Sequence, residues 1–362
     1  MRTPSVLAAL LLLAPWPDVA GQHAPVTLDR IAQWGCGECT TGHQFGGIEA
    51  LAVTLSGNTY LIDRDEPRVR IFDTTGAMIR AFGRRGRGPG ELEVPVGIAI
   101  VRDGSMQIPD LRNARMTRYS ATGALVATVP LTRVPTAMAH HPSRSEVLVA
   151  FTDFRRGGEI ERWLPSDSAG RLLVELSDFP PTEGVPGTVH SFAADPAGGF
   201  VVGDGINEYR IRRFGPDGRA AGADIVRDIA RVAKTDEEIA QHEAQMASRG
   251  AQMRAALEAR SGGRSGDLAM PAVPRLRNHF DYFALRIDSK GRVWVRTARA
   301  AVGRTIFDVF DSRGGFLGEV ELPLPVRGYD VAGEFLVTAS EGRDGEPIVV
   351  LWRTRHEPGN PE

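Results

Sequence analysis

The stretch IEALAVTLSGNTYLIDRDEPRVRIFDTTGAMIRAF, residues 48–82, decides the fold. It holds four short runs of strand-favouring residues, 48–55, 59–63, 68–72 and 78–82. Ser56-Gly57-Asn58, Arg64-Asp65-Glu66-Pro67 and Thr74-Thr75-Gly76 separate them. Runs of this length, rich in Val, Ile, Thr and Phe and broken by turn-forming residues, read as strands. Spacers of three or four residues leave no room for a crossover, so consecutive runs pair as antiparallel neighbours.

The closing turn recurs along the chain. Gly76, Gly123, Gly170 and Gly218 are spaced by 47, 47 and 48 residues, in Thr74-Thr75-Gly76, Ala121-Thr122-Gly123, Ser168-Ala169-Gly170 and Pro216-Asp217-Gly218. A fifth such turn, Asp311-Ser312-Arg313-Gly314, comes 96 residues after Gly218, one further period plus an insertion of similar length. The second repeat restates the first as runs 94–101, 105–110, 115–119 and 125–130. A four-stranded unit with a period of about 40 to 50 residues is a propeller blade. Weaker copies follow over 135–177, around Gly198, Asp204 and Phe214, over 280–323 and over 326–353, which makes six. The expected fold is therefore all-β, a six-bladed β-propeller of four-stranded antiparallel blades with one helical insertion between blades four and five. The extended run 26–34 is expected to add a strand to the final blade and close the ring, leaving no sheet edge unpaired.

Blade two carries a family resemblance. Gly86-Arg87-Gly88-Pro89-Gly90-Glu91-Leu92, then Pro95-Val96-Gly97-Ile98-Ala99-Ile100, Asp103-Gly104, Asp110, Asn113-Ala114-Arg115-Met116 and Tyr119 resemble the NHL-type repeat of bacterial six-bladed β-propellers. Blade one repeats it more loosely through Gly57, Asp63 and Arg68-Val69-Arg70-Ile71-Phe72. In NHL-like repeats an Asp in the slot of Asp63, Asp110 and Asp204 ties down its own loop, so the resemblance implies a structural role for all three.

The remaining segments give the domain plan. Residues 1–21 read as a signal peptide: Arg2, an apolar run over 6–14, then Pro15, Pro17 and the small residues before Gln22. Residues 22–44 hold the closing strand and a Gly-rich loop with both cysteines, Cys36 and Cys39, expected to form one disulfide in an oxidising compartment. Blades one to four span 45–227, and blades five and six 276–356, with a tail at 357–362. Between them, 228–275 reads as a helical insertion and flexible tether. Thr235-Asp236-Glu237-Glu238 forms a capping box, and Ile239, Met246, Met253 and Leu257 make one stripe of a helix ending near Arg260. In a blade the connections between sheets emerge on the same face as the loop between the second and third strands, so the insertion belongs to that loop face.

Charge is balanced, 43 basic against 45 acidic residues, so no nucleic-acid partner is expected, and no later run of about 18 apolar residues suggests a membrane span. Any charged site is local. Arg64, Arg84, Arg85, Arg87, Arg112, Arg155 and Arg296 fall on the loop face, a basic rim suited to carboxylates or phosphates. Glu49, His190, His279 and Asp281 fall at or just before inner strands, near the mouth of the central channel. Aligned by their glycine turns, Glu49, Val96, His190 and Phe283 occupy equivalent positions.

Two functions fit. The first is an exported, non-enzymatic propeller, acting as a monomer and without a cofactor, that binds a protein, glycan or small anionic ligand across its loop face. Glu49, His190, His279, Asp281, Arg84, Arg87 and Arg112 are then its ligand-binding candidates. The second is a metal-dependent hydrolase or lyase, lactonase-like, with Glu49, His190 and Asp281 holding a divalent metal such as calcium. Metal-dependent lactonases built on six-bladed propellers resemble this layout, but the motifs flanking their Glu, Asn and Asp set are missing here. No Gly-x-Ser-x-Gly elbow, phosphate-binding Gly-Lys-Ser/Thr loop or His-Glu-x-x-His pair occurs in the sequence.

Overall fold

A computed structural model describes residues 26–35, 44–153, 157–175, 191–206, 208–261, 273–342 and 344–355. Cys36, Cys39, His190, Arg155 and the proposed signal peptide lie outside these residues.

The chain enters through β1 (Thr27–Trp34). It then builds β2 (Ile48–Val53), β3 (Thr59–Asp63), β4 (Val69–Phe72) and β5 (Met78–Phe82) as sheet one. Sheet two holds β6 (Ala99–Ile100), β7 (Met106–Asp110), β8 (Arg115–Tyr119) and β9 (Leu125–Pro130). Sheet three holds β10 (Pro135–His140), β11 (Val147–Asp153), β12 (Gly157–Trp163) and β13 (Arg171–Glu175). Sheet four holds β14 (Ser191–Ala194), β15 (Phe200–Asp204), β16 (Arg210–Phe214) and β17 (Ile225–Val226). After α1 (Asp236–Ser261), sheet five is β18 (Phe280–Ile287), β19 (Val293–Thr297), β20 (Thr305–Phe310) and β21 (Phe316–Leu322). Sheet six is β22 (Val326–Ala332), β23 (Phe335–Glu341) and β24 (Pro347–Arg355), and β1 completes it by pairing antiparallel with β24. The protein is thus a six-bladed β-propeller. Counted from the sheet that contains β1, the helix separates the fifth sheet from the sixth; counted from β2, as in the sequence reading, it follows the fourth.

Strand periodicity explains the core. Each inter-sheet gap has its own apolar cluster, as alternate residues of one blade meet the next. Trp34, Phe72 and Phe335 lie between sheets six and one, while Trp294, Phe307 and Tyr329 lie between five and six.

Two local readings need correction. Only Ala99 and Ile100 of the 94–101 run join a ladder. The Asp110 carboxylate takes the Glu93 and Val94 N–H groups instead, and Pro95 has no N–H to give. Gly76, Gly123, Gly218 and Gly314 adopt the left-handed conformation their turns demand, whereas Gly170 does not. Gly170 is small for another reason: a Cβ there would lie 2.2 Å from the Glu161 carboxylate and the Trp163 indole nitrogen. In the β10–β11 turn, which has no glycine, the His141 ring nitrogen accepts the Ser143 N–H and fixes the bend.

Asp110 is fully buried and also accepts from the Arg112 and Asn113 backbone N–H groups, at 3.1 and 3.0 Å. Asp63 does the same for Gly46 and Asp65, and Asp204 for Ile206. These aspartates hold loops, as the repeat resemblance implied. Asp110→Ala leaves four part-buried backbone donors without their acceptor and is expected to cost about 3 kcal/mol, read as a fall in the urea midpoint at unchanged slope.

The helix starts with the capping box in full. Glu238 N–H donates to Thr235 Oγ1 at 3.2 Å, and Thr235 N–H to the Glu238 carboxylate at 2.8 Å. Its stalk is a short ribbon in which Lys234 N–H donates to Arg275 O and Arg277 N–H to Val232 O. Arg277 grips Glu238 at 2.9 Å and the Ala300 carbonyl at 2.8 Å, which ties the first turn to the loop face of sheet five. Ile239 and Met246 are half-buried, and most of the other described helix side chains are exposed.

Candidate functional site

Six inner strands running the same way around an axis must leave a channel, and their loop-face ends surround a cavity of about 370 Å³. Its wall comes from five sheets: Glu49 and Leu51 on β2, Gly97 before β6, Met138 and His140 on β10, Phe283 and Arg286 on β18, and Arg327, Gly328 and Asp330 on β22. Arg64 and Glu341 stand at the rim.

Its charges come in pairs. Arg64 Nε lies 3.3 Å from Glu49 Oε2, and Arg327 Nη2 lies 3.2 Å from Glu341 Oε2; these two pairs face solvent. The third pair is deeper, with Arg286 Nε 3.2 Å from Asp330 Oδ1. The other Asp330 oxygen accepts the Val53 N–H at 2.9 Å, so one carboxylate joins sheets five, six and one. Burial lifts the Asp330 carboxyl to about 6, with Arg286 and the Val53 N–H working against the rise. Burial presses the His140 imidazole down to about 3, helped by the positive charge of Arg286.

Phe283 is held in an uncommon state. Between the Phe280–Thr297 and Leu285–Val295 pairs, β18 holds four residues against one on β19, a large bulge. Within it Phe283 takes φ +60° and stays 44% exposed, although it sits on an inner strand. The bulge is clamped from both sides. Ser191 Oγ of sheet four accepts the Leu285 N–H at 2.9 Å, and the Tyr329 hydroxyl of sheet six donates between the Ala284 and Trp294 carbonyls, at 2.8 and 2.9 Å. A left-handed phenylalanine whose ring is left in the open is strained without repayment in packing. Phe283→Gly is accordingly expected to keep or raise stability, by up to about 1 kcal/mol, in a thermal melt. A fall above 1 kcal/mol would mean that the ring is a packing residue.

The far mouth is crossed by a polar link. His141 Nδ1 accepts from Ser143, so its Nε2 carries the proton, which points at Ser289 Oγ 3.5 Å away. Ser289 Oγ also accepts the Gly333 N–H at 2.8 Å. In that tautomer His141 cannot take the Ser289 proton, so the pair ties sheets three, five and six together and does not form a nucleophile with its base.

Of the residues singled out in the sequence, Glu49 and Arg64 line the cavity, joined by Phe283. His279 does not line it: its ring meets Tyr209 edge-on at 5.8 Å, and its backbone bridges Gly205 and Ala298. Arg84 is held by Glu91, Arg87 lies 3.9 Å from Glu93, and Arg112 is exposed on the β7–β8 turn. Arg85 donates to the Arg64 and Asp65 carbonyls, and Arg296 to the Val326 carbonyl. Asp281 lies on β18, its side chain outside the described residues. Among the described residues no three His, Cys, Asp or Glu side chains are grouped so as to hold a metal ion. Sequence reasoning passed over His140, Arg286, Arg327, Asp330 and Glu341. Their signal was present as charge or imidazole within the strands Phe280–Ile287 and Val326–Ala332 and at the ends of Pro135–His140 and Phe335–Glu341.

Comparison with known proteins agrees on architecture. The family model DUF5128, described as a six-bladed β-propeller, matches residues 40–155. No curated protein matches the sequence. Among solved structures, a DUF4221 family member from Bacteroides vulgatus is similar with a TM-score of 0.51 and 10% identity, covering 92% of this chain and 99% of its own. A putative exported protein from Bacteroides fragilis has a TM-score of 0.51 and 9% identity, covering 93% and 97%. A gluconolactonase from Xanthomonas campestris has a TM-score of 0.50 and 13% identity, covering 91% and 90%. At these identities the likeness is one of fold.

Proposed function

We propose that this chain is an exported, non-enzymatic binding protein that holds a small polar ligand in the loop-face mouth of its central channel. One observation carries the reading: five sheets converge on a cavity of about 370 Å³ whose wall holds three arginine–carboxylate pairs and an exposed phenylalanine. That volume lies within the range of roughly 300–1,000 Å³ for small-molecule sites, where a few placed polar groups set specificity. Export rests on the leader-like residues 1–21, and among the described residues no helix is long and apolar enough to cross a membrane. The likeness to NHL-type repeats rests on blade two and adds no ligand.

The hydrolase or lyase reading would draw Glu49 away from Arg64 and use His190 and Asp281 beside it. The two readings separate in one assay. Thermal melts of the mature protein, treated with chelator, are recorded with neutral sugars, organic acids and amino acids, and simple lactones and esters are tested for turnover with calcium present. A binding protein gains stability from one ligand class without metal and turns over nothing. Calcium-dependent turnover that Glu49→Gln abolishes would overturn this reading.

A further inference from the structure

The cavity wall has features that restrict its ligand, and their meaning rests on the binding reading above. The charges of Arg64, Arg286 and Arg327 are matched by those of Glu49, Asp330 and Glu341, each pair within 3.3 Å. A net anion would have to compete with a carboxylate already in place at every arginine, and a cation would meet the same obstacle from the other side. Hydroxyl groups meet neither, because each one donates to a carboxylate and accepts from a guanidinium at once. The two outer pairs suit this role, since Arg64 and Arg327 side chains are 65% and 70% exposed, while Arg286–Asp330 forms the deeper part of the wall.

Phe283 supplies the complementary surface. Its bulge, clamped by the Ser191 and Tyr329 hydroxyls, keeps a strained backbone and an aromatic ring that is 44% exposed. Strain kept in place by surrounding bonds marks positions used for something other than stability. A ring beside alternating hydroxyl donors and acceptors matches a ligand with one apolar C–H face and a polar edge. From this juxtaposition we infer that the pocket binds a neutral saccharide, its ring stacked on Phe283 and its hydroxyls shared between the Arg64–Glu49 and Arg327–Glu341 pairs.

The test uses the full mature chain, fluorescently labelled, on an array of neutral and acidic glycans, with acetate, succinate and citrate titrated separately by calorimetry. Neutral glycans are expected to be retained. Phe283→Gly is expected to weaken that binding about tenfold or more, and Phe283→Tyr to keep it within about threefold. Arg327→Ala and Glu49→Gln weaken it without lowering the melting temperature. Preference for the carboxylates, weakened by Arg64→Ala but untouched by Phe283→Gly, would overturn the saccharide inference and leave the pocket as the site. Glycan binding that none of these variants weakens, or binding of neither class, would overturn both. A loss of thermal stability in Phe283→Gly as large as its loss of binding would assign the ring to packing and overturn the inference alone.

Discussion

Removing residues 26–35 is expected to abolish the native ring, leaving a protein that aggregates or melts far below the full chain. β1 is the outer strand of sheet six and the only part of that sheet drawn from the other end of the chain. Without it β24, with Val349, Val350, Leu351 and Trp352, becomes a bare edge with unpaired N–H and C=O groups. Trp34 is the other half of the clasp. It is fully buried, 5.1 Å from Phe72, and its indole N–H donates to the Gly76 carbonyl of sheet one at 2.9 Å. Trp34→Ala is expected to cost about 3–5 kcal/mol and Trp34→Phe about 1–2 kcal/mol, the latter chiefly the orphaned carbonyl. Urea denaturation of both variants checks this. Equal and small losses would mean that the ring closes by some other contact.

Acid is expected to destabilise the protein steeply below pH 6.5, and His141 to be a principal cause. Its imidazole is buried at the far mouth and pressed down to about 4 by burial, with Asp288 opposing and Arg144 assisting. The folded pKa lies below the unfolded one, so the unfolded chain binds the proton first. Stability is therefore full above about 6.5 and lost as pH falls toward 4, by about 3 kcal/mol for this group alone. His140, pressed down to about 3 by burial, Arg286 and His141, acts in the same direction. Asp330 opposes them: with its folded carboxyl lifted to about 6, it costs stability as pH rises from about 4 to 6, a smaller span. His141→Gln should be less stable than the wild type at pH 8, having lost the link to Ser289, and should close that gap by pH 4.5. Urea midpoints across this range decide it; parallel curves would exclude His141 as the source.

How much of this was legible from sequence follows physical range. Turns and strands are local, so the spacing of Gly76, Gly123 and Gly218 gave the blades, and Thr235 with Glu238 gave the helix start. The closing strand was legible too, because an extended run before blade one has a sheet with a missing member to join. The pocket was not. Glu49 and Phe283 were placed near the channel by repeat alignment, but Arg286 and Asp330 are 44 residues apart on different sheets, and only the ring brings them to 3.2 Å. The repeat alignment gives Phe283 only as one of four equivalent positions with Glu49, Val96 and His190, since no spacing rule announces a bulge that leaves a ring open to the channel. The arginines of 84–87 looked like a site because they cluster in sequence, yet Glu91 and Glu93 in the same loop answer two of them.

The most direct test of the pocket and its ligand is a crystal structure of the mature protein grown with the tightest-binding neutral glycan from the array. The account predicts one sugar ring lying flat on Phe283 in the loop-face mouth, with hydroxyls within hydrogen-bond distance of Glu49 or Glu341. A glycan seated instead on the outer strands or along α1, with the channel mouth unchanged, would contradict it.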